Sequence, residues 1–176
     1  MTVMPHRGDQ NHPIGKLFAL LHDRGHEDYF GEPVSQLEHA CQCAQIAEEN
    51  GCDEEIIIAA LLHDIGDTLG AANHPDIAAA ILKPFVSEKL HWIVQNHGIF
   101  QGHNFFHHLG LDRDMREKFR GHEWFSDTEE FIDKYDCPSF DPDYDTLPLE
   151  FFEPMVTKLF RHPLNSIYKR EAEAVA

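Results

Sequence analysis

His63 and Asp64 close the most apolar stretch of this sequence, EEIIIAALLHDIG. Burying an ionisable pair at the end of such a run is costly unless something compensates it. A metal ion is one such compensation, since imidazole nitrogen and carboxylate oxygen together suit iron, manganese, zinc or nickel, and a carboxylate can bridge two ions. Other residues of the same types are spaced to join them. His39 precedes His63 by about one helix and one turn, a separation that antiparallel helices convert into contact. His74 and His97 stand at expected helix boundaries, and Asp136 ends a later expected helix. Histidine is abundant throughout: 14 residues, as many as lysine and arginine together.

The elements that position these residues read as helices, because no alternating β-branched stretch of strand length occurs. Residues 14–21 form a short first helix, followed by a Gly- and Pro-punctuated turn over 25–33. Ser35 and Glu38 make a capping box for a helix that runs to Asn50 and stops at Gly51. Asp53 caps the apolar helix that carries His63. Pro75 opens the helix DIAAAIL, and Pro84 or Ser87 opens another that ends near His97 and Gly98. A separate helix is expected over 101–109, a charged one over 113–120, and one capped by Ser126 and Glu129 that reaches Asp136. Residues 137–148, rich in Pro, Asp and aromatics, read as an ordered loop, and 149–168 as a last helix with a break at Pro163. With no repeat and no linker, residues 1–176 form one all-α domain with its core at about 29–160.

The composition narrows the function classes. A chain of 176 residues can bury about two thirds of its unfolded surface. Its net charge of −17 argues against nucleic acid and anionic membranes, which reward lysine and arginine. No apolar run approaches the ~20 residues of a membrane span, and the first residues lack the apolar core of a signal peptide, so a cytoplasmic protein is expected. Cys41, Cys43, Cys52 and Cys137 form no CxxC pair and read as reduced, packed thiols.

The order H…HD…H…H…D resembles the HD-domain superfamily in its six-ligand, dinuclear form, and more closely its diiron oxygenases, which include myo-inositol oxygenase and the phosphonate-cleaving oxygenases. NHPDIAAAIL, VQNHGIFQGH and KYDCPSFDPDYDTLPLEFFEPMV carry that likeness. The resemblance implies an HD-domain helical bundle with a dinuclear site at its centre. Two iron ions, a mixed-valent Fe(II)/Fe(III) pair, are implied on His39, His63, Asp64, His74, His97 and Asp136. In YFGEPVSQLEH, Tyr29 and Glu32 precede His39 by ten and seven residues. This spacing resembles the switch of the phosphonate-cleaving branch, in which the tyrosine caps one iron until substrate displaces it.

Two positions depart from the aminoethylphosphonate-cleaving pattern. Asp67 stands where that pattern has a phosphonate-binding histidine, and Gln101 where it has a lysine. His103, His107, His108, Arg113 and Lys158 are the basic candidates to replace them. Asp67, with Glu38, Trp92, Phe105 and Phe106, also suits a cationic substrate end. The expectation is a non-haem diiron oxygenase that takes O2 and a small 1-hydroxyphosphonate, one bearing a quaternary ammonium group fitting Asp67. Asp67, Gln101 and His103 are the expected substrate contacts. The alternatives are a metal-dependent phosphohydrolase of a phosphate ester or nucleotide, and an oxygenase of the same family acting on another hydroxylated substrate.

Overall fold

The computed structural model describes residues 13–26, 29 and 31–165, and these are helical and loop segments without a strand. Helix α1 is Pro13–Arg24, α2 Gln36–Glu49 and α3 Glu54–Leu62. A short α4, Asp67–Gly70, leads through a 3-10 turn into α5, His74–Leu82. The long α6 is Glu88–Phe105, α7 is Phe125–Phe131, and α8 is Leu149–Phe160.

Helices α2 and α3 form the centre. The capping box that opens α2 is complete: Glu38 N–H donates to Ser35 Oγ and Ser35 N–H to Glu38 Oε2. Asp53 caps α3 by accepting from Ile56 N–H. Ile57 to Leu62 are all buried on α3, and Ala40, Cys41, Cys43, Ala44 and Ala47 on α2. Small side chains on α2 let the two helices approach closely, which brings His39, near the start of α2, to His63 at the end of α3. Cys41 and Cys43 are free thiols, each pushed up to about 12 by burial, so neither is a ready nucleophile.

Several boundaries differ from those the sequence suggests. Helix α6 continues past His97 and Gly98 to Phe105, so His97 lies within a helix rather than at its end. Gly98 is there for clearance: a Cβ at this position would lie 3.1 Å from the Pro75 ring. Residues 106–109 form a 3-10 turn, ended by Gly110 at φ 72°. The charged segment 113–120 holds only a 3-10 turn, Met115–Phe119. Helix α7 begins at Phe125 behind Trp124, so Ser126 sits inside it and makes no cap. Helix α8 stops at Phe160, ahead of Pro163, and 166–168 lie outside the described residues.

After α7 the chain widens into a π-helical turn, Ile132–Asp136, closed by Cys137 N–H on Ile132 O. Such turns are rare and concentrate at functional sites. The following loop is tied to α2 by two glutamines. Gln42 bonds Asp141 in both directions, and Gln45 accepts from Leu147 N–H. No helix among the described residues is long and apolar enough to cross a membrane.

Candidate metal centre

Four imidazoles and two carboxylates meet where α2, α3, α5, α6 and the π turn converge. His39, His63, His97, Asp64 and Asp136 are buried, and His74 is half-buried. His39 Nε2 lies 3.3 Å from His63 Nε2, and His74 Nε2 lies 3.2 Å from His97 Nε2. Asp64 stands between the pairs. Its Oδ2 is 3.4 Å from His39 Nε2 and 3.3 Å from His63 Nε2. Its Oδ1 is 3.3 Å from His74 Nε2 and 2.9 Å from His97 Nε2. Asp136 Oδ1 completes the first group, 3.4 Å from His39 Nε2.

The outer edge of each ring explains this inward convergence. The Nδ1 of His39 faces Ser139 O at 3.0 Å, that of His63 Ala60 O at 2.7 Å, that of His74 Ala71 O at 2.9 Å, and that of His97 Val94 O at 2.6 Å. A carbonyl accepts only, so each Nδ1 carries the hydrogen and each neutral ring turns a bare Nε2 lone pair inward. Lone pairs 3.2–3.3 Å apart repel unless a cation lies among them. Asp136 Oδ2 is buried without a hydrogen-bond partner, a further acceptor waiting for positive charge. The donor set therefore fits a metal, and the two groups that share Asp64 fit two ions.

Electrostatics point the same way. Without a metal among these rings a proton takes its place: burial pulls the His63 imidazole down, but the charges of Asp64 and Asp136 outweigh it and raise it well above the ordinary histidine range. Burial pushes Asp64 up, yet positive charge at His63 and the close approach of His39, His63 and His97 hold it well below the ordinary carboxylate range. This concentration of buried negative charge calls for cations at its centre.

Two glycines make room for His74. A Cβ on Gly66 would lie 2.2 Å from His74 O, and His74 Cε1 is 3.8 Å from the corresponding point on Gly98. Gln36 Nε2 donates to Asp64 O at 2.6 Å, fixing the backbone of the residue that both histidine pairs share. Phe140 stacks on His39 with ring centroids 4.1 Å apart. Sequence reading missed Gln36, Ser139 and Phe140. Only Gly66, two residues after Asp64, and Gly98, directly after His97, left a signal.

The phenol of Tyr29 donates to Asp64 Oδ2, so this residue reaches the centre. Burial and the Asp64 charge raise the phenol far above its ordinary range, which keeps it a protonated donor. Glu32 is exposed and meets Tyr29 through its backbone N–H on Tyr29 O, 2.8 Å. Asp67 Oδ1 is buried without a hydrogen bond, 3.3 Å from His74 Nδ1. Burial and then the charge of Asp64 push this carboxyl up to about 7. Gln101 Nε2 donates to Asp136 Oδ1 at 3.0 Å.

The remaining sequence candidates lie elsewhere. His103 sits against Arg113, whose Nη2 is 3.3 Å from its Nε2. His107 and His108 are exposed, and Lys158 pairs with Glu54 on the surface. Trp92 stacks on His122 at 4.0 Å, and Glu38 is committed to its cap, so neither joins an aromatic-acidic lining around Asp67.

A helical bundle with a His-Asp pair at the heart of such a cluster defines a class. Residues 36–130, more than half of the chain, match the HD domain, and the protein belongs to the HD-domain family. Among particular relatives, it is 55% identical over 60 residues to the [1-hydroxy-2-(trimethylamino)ethyl]phosphonate dioxygenase (glycine-betaine-forming) of Leisingera caerulea, covering 34% of this chain and 29% of that one. It is 46% identical over 56 residues to the hydroxymethylphosphonate dioxygenase of Gimesia maris, covering 32% and 27%. The chain thus spans under a third of the length of either relative.

Proposed function

We propose that this protein is a diiron oxygenase that uses O2 to cleave the carbon–phosphorus bond of a 1-hydroxyphosphonate. The observation that carries the reading is Asp64, whose two oxygens face separate histidine pairs while the Tyr29 phenol rests on one of them. The names of the two dioxygenase relatives support it. The reaction balances as R–CH(OH)–PO3H2 + O2 → R–COOH + H3PO4, with the carbon–phosphorus bond replaced by oxygen on both atoms. Iron, when bound, supplies electrons to O2 and an electrophilic position for the substrate hydroxyl.

The chain's own residues do the rest. His39, His63 and Asp136 would hold one ion, His74 and His97 the other, and Asp64 would bridge them. Tyr29 covers the centre as a donor to Asp64 until a substrate takes its place. Glu32 supports that cover through the Tyr29 backbone. Asp67 offers a buried carboxylate oxygen to a cationic substrate end, and a quaternary ammonium group meets that need without a hydrogen to donate. His103 is half-buried beside Arg113.

The test incubates iron-loaded protein with [1-hydroxy-2-(trimethylamino)ethyl]phosphonate and, separately, with phosphate esters, with and without O2. Phosphate release from the phosphonate in one-to-one proportion to O2 consumed, together with a coupled mixed-valent iron resonance, supports the reading. Ester hydrolysis that proceeds equally without O2 would instead establish a phosphohydrolase.

A further inference from the structure

Gln101 is tied to a ligand. Its Nε2 donates to Asp136 Oδ1 at 3.0 Å, the same atom that stands 3.4 Å from His39 Nε2 and 3.7 Å from His63 Nε2. Asp136 is fully buried, and its Oδ2 has no hydrogen-bond partner. The carboxylate projects from a π turn and, unlike His39 and His63, is not locked by an outward-facing ring nitrogen. A side chain of this kind needs an external donor to fix its rotation.

Helix α6 supplies that donor. Gln101 lies one turn beyond His97, on the same side of the helix. One turn further, Asn104 Nδ2 contacts Cys137 Sγ at 3.1 Å, so two successive turns of α6 grip two successive residues of the other segment. Gly102 brings the helix close to its own 3-10 tail, since a Cβ there would lie 2.3 Å from the Phe106 ring. An amide suits the task. It fills one lone pair of Oδ1 yet leaves the full negative charge for a metal, whereas a lysine or arginine would offset that charge.

We infer that Gln101 is a positioning residue for Asp136, setting metal retention in the His39–His63–Asp136 half of the centre, and is not a substrate contact. The inference rests on the two-ion centre proposed above. It makes α6 a common support for both halves, presenting His97 directly to one and Gln101 to a ligand of the other.

The experiment challenges metal-loaded wild-type protein, Gln101→Met and Gln101→Glu with increasing chelator, counting ions retained per chain and following helicity by circular dichroism. Gln101→Met keeps the length and loses the donor. It is expected to release one of its two ions at roughly 10- to 100-fold less chelator, with the second ion and the helicity unchanged. Gln101→Glu, which sets a like charge against Asp136, should lose the same ion more readily. In a His74→Ala background the Gln101→Met effect should persist, and in a His39→Ala background it should vanish. Retention of both ions as in the wild type would overturn the inference, as would equal loss of both with loss of helicity. A wild-type protein that holds only one ion would overturn the two-ion centre itself, a failure distinct from that of Gln101.

Discussion

Tyr29 joins a neutral donor to the carboxylate that the two histidine pairs share, and hydrogen bonds to charged groups contribute about 1.5–3 kcal/mol. Phe140 stacks parallel to the Tyr29 ring at 6.2 Å, so the ring has a packing partner that does not depend on its hydroxyl. Tyr29→Phe should therefore keep the fold and both metal ions while losing the donor to Asp64. If that bond holds the cover closed, its loss raises the open fraction about tenfold or more, since every 1.4 kcal/mol is about tenfold. Reduced, iron-loaded Tyr29→Phe should then react with O2 faster than the wild type in the absence of substrate, as followed by stopped-flow absorbance. An unchanged rate with both ions in place would leave Tyr29 a structural residue. Of the six residues that meet at the centre, His63 and Asp64 were legible because a buried histidine or aspartate is costly, so its presence in an apolar run is itself a signal, and the other four only through their spacing and a family resemblance. Residues that act through a backbone carbonyl or a ring face, Ser139 and Phe140, carry no such cost and left none.

The turn after α3 packs against the start of α5 at Gly66, where the backbone of His74 approaches closely. A Cβ at Gly66 would overlap His74 O, Cα and C at 2.2–2.9 Å, and backbone atoms cannot swing aside as a side chain can. Gly66→Ala should push the start of α5 away, cost about 1–3 kcal/mol as an overpacked site does, and weaken retention of the ion that His74 and His97 would hold. Gly70→Ala is the matched control, since its Cβ would meet only side-chain atoms, Asn73 Oδ1 and Ile77 Cδ1 at 3.2 and 3.4 Å. Urea unfolding with metal counts on both variants checks this, and equal behaviour would remove the steric argument. The same scale explains which elements could be read in advance. Caps with a side-chain oxygen at the right offset, Ser35 and Asp53, marked α2 and α3 correctly. Ser126 and Glu129 have the same offset yet form no cap, because the chain is already helical at Phe125, a decision made by burial of Phe125, Thr128 and Phe131. Gly98 looked like a stop and is a contact point. The π turn at Asp136 left no local signal, and the loop that follows it is held by the distant Gln42 and Gln45.

The molecule as a whole carries 31 acidic against 14 basic residues, so a phosphonate dianion approaches a repulsive field before it meets any single residue. Near the centre Asp67 adds a buried carboxylate oxygen without a hydrogen bond, and at 4 Å two like charges repel by about 1 kcal/mol in water and more in a drier site. A quaternary ammonium group offsets both effects, lowering the net charge of the substrate in the long-range field and placing a cation against Asp67 locally. The two contributions separate by salt, because long-range attraction and repulsion between exposed charges are screened within about 8 Å at physiological ionic strength, whereas a buried contact is screened much less. Trimethylammonio 1-hydroxyphosphonates should therefore be turned over with higher kcat/KM than 1-hydroxyphosphonates that carry no amino group. Added salt should narrow the gap by speeding the substrates without an ammonium group, without closing it. Asp67→Asn should remove most of the part that survives high salt while leaving the metal content unchanged, because the amide keeps the size of the carboxylate and loses its charge. Steady-state kinetics of both substrates on both proteins, at low and high salt, reads each part directly. A preference that disappears with salt alone would assign the selectivity to the overall charge, and an equal preference in Asp67→Asn at high salt would take Asp67 out of the substrate site.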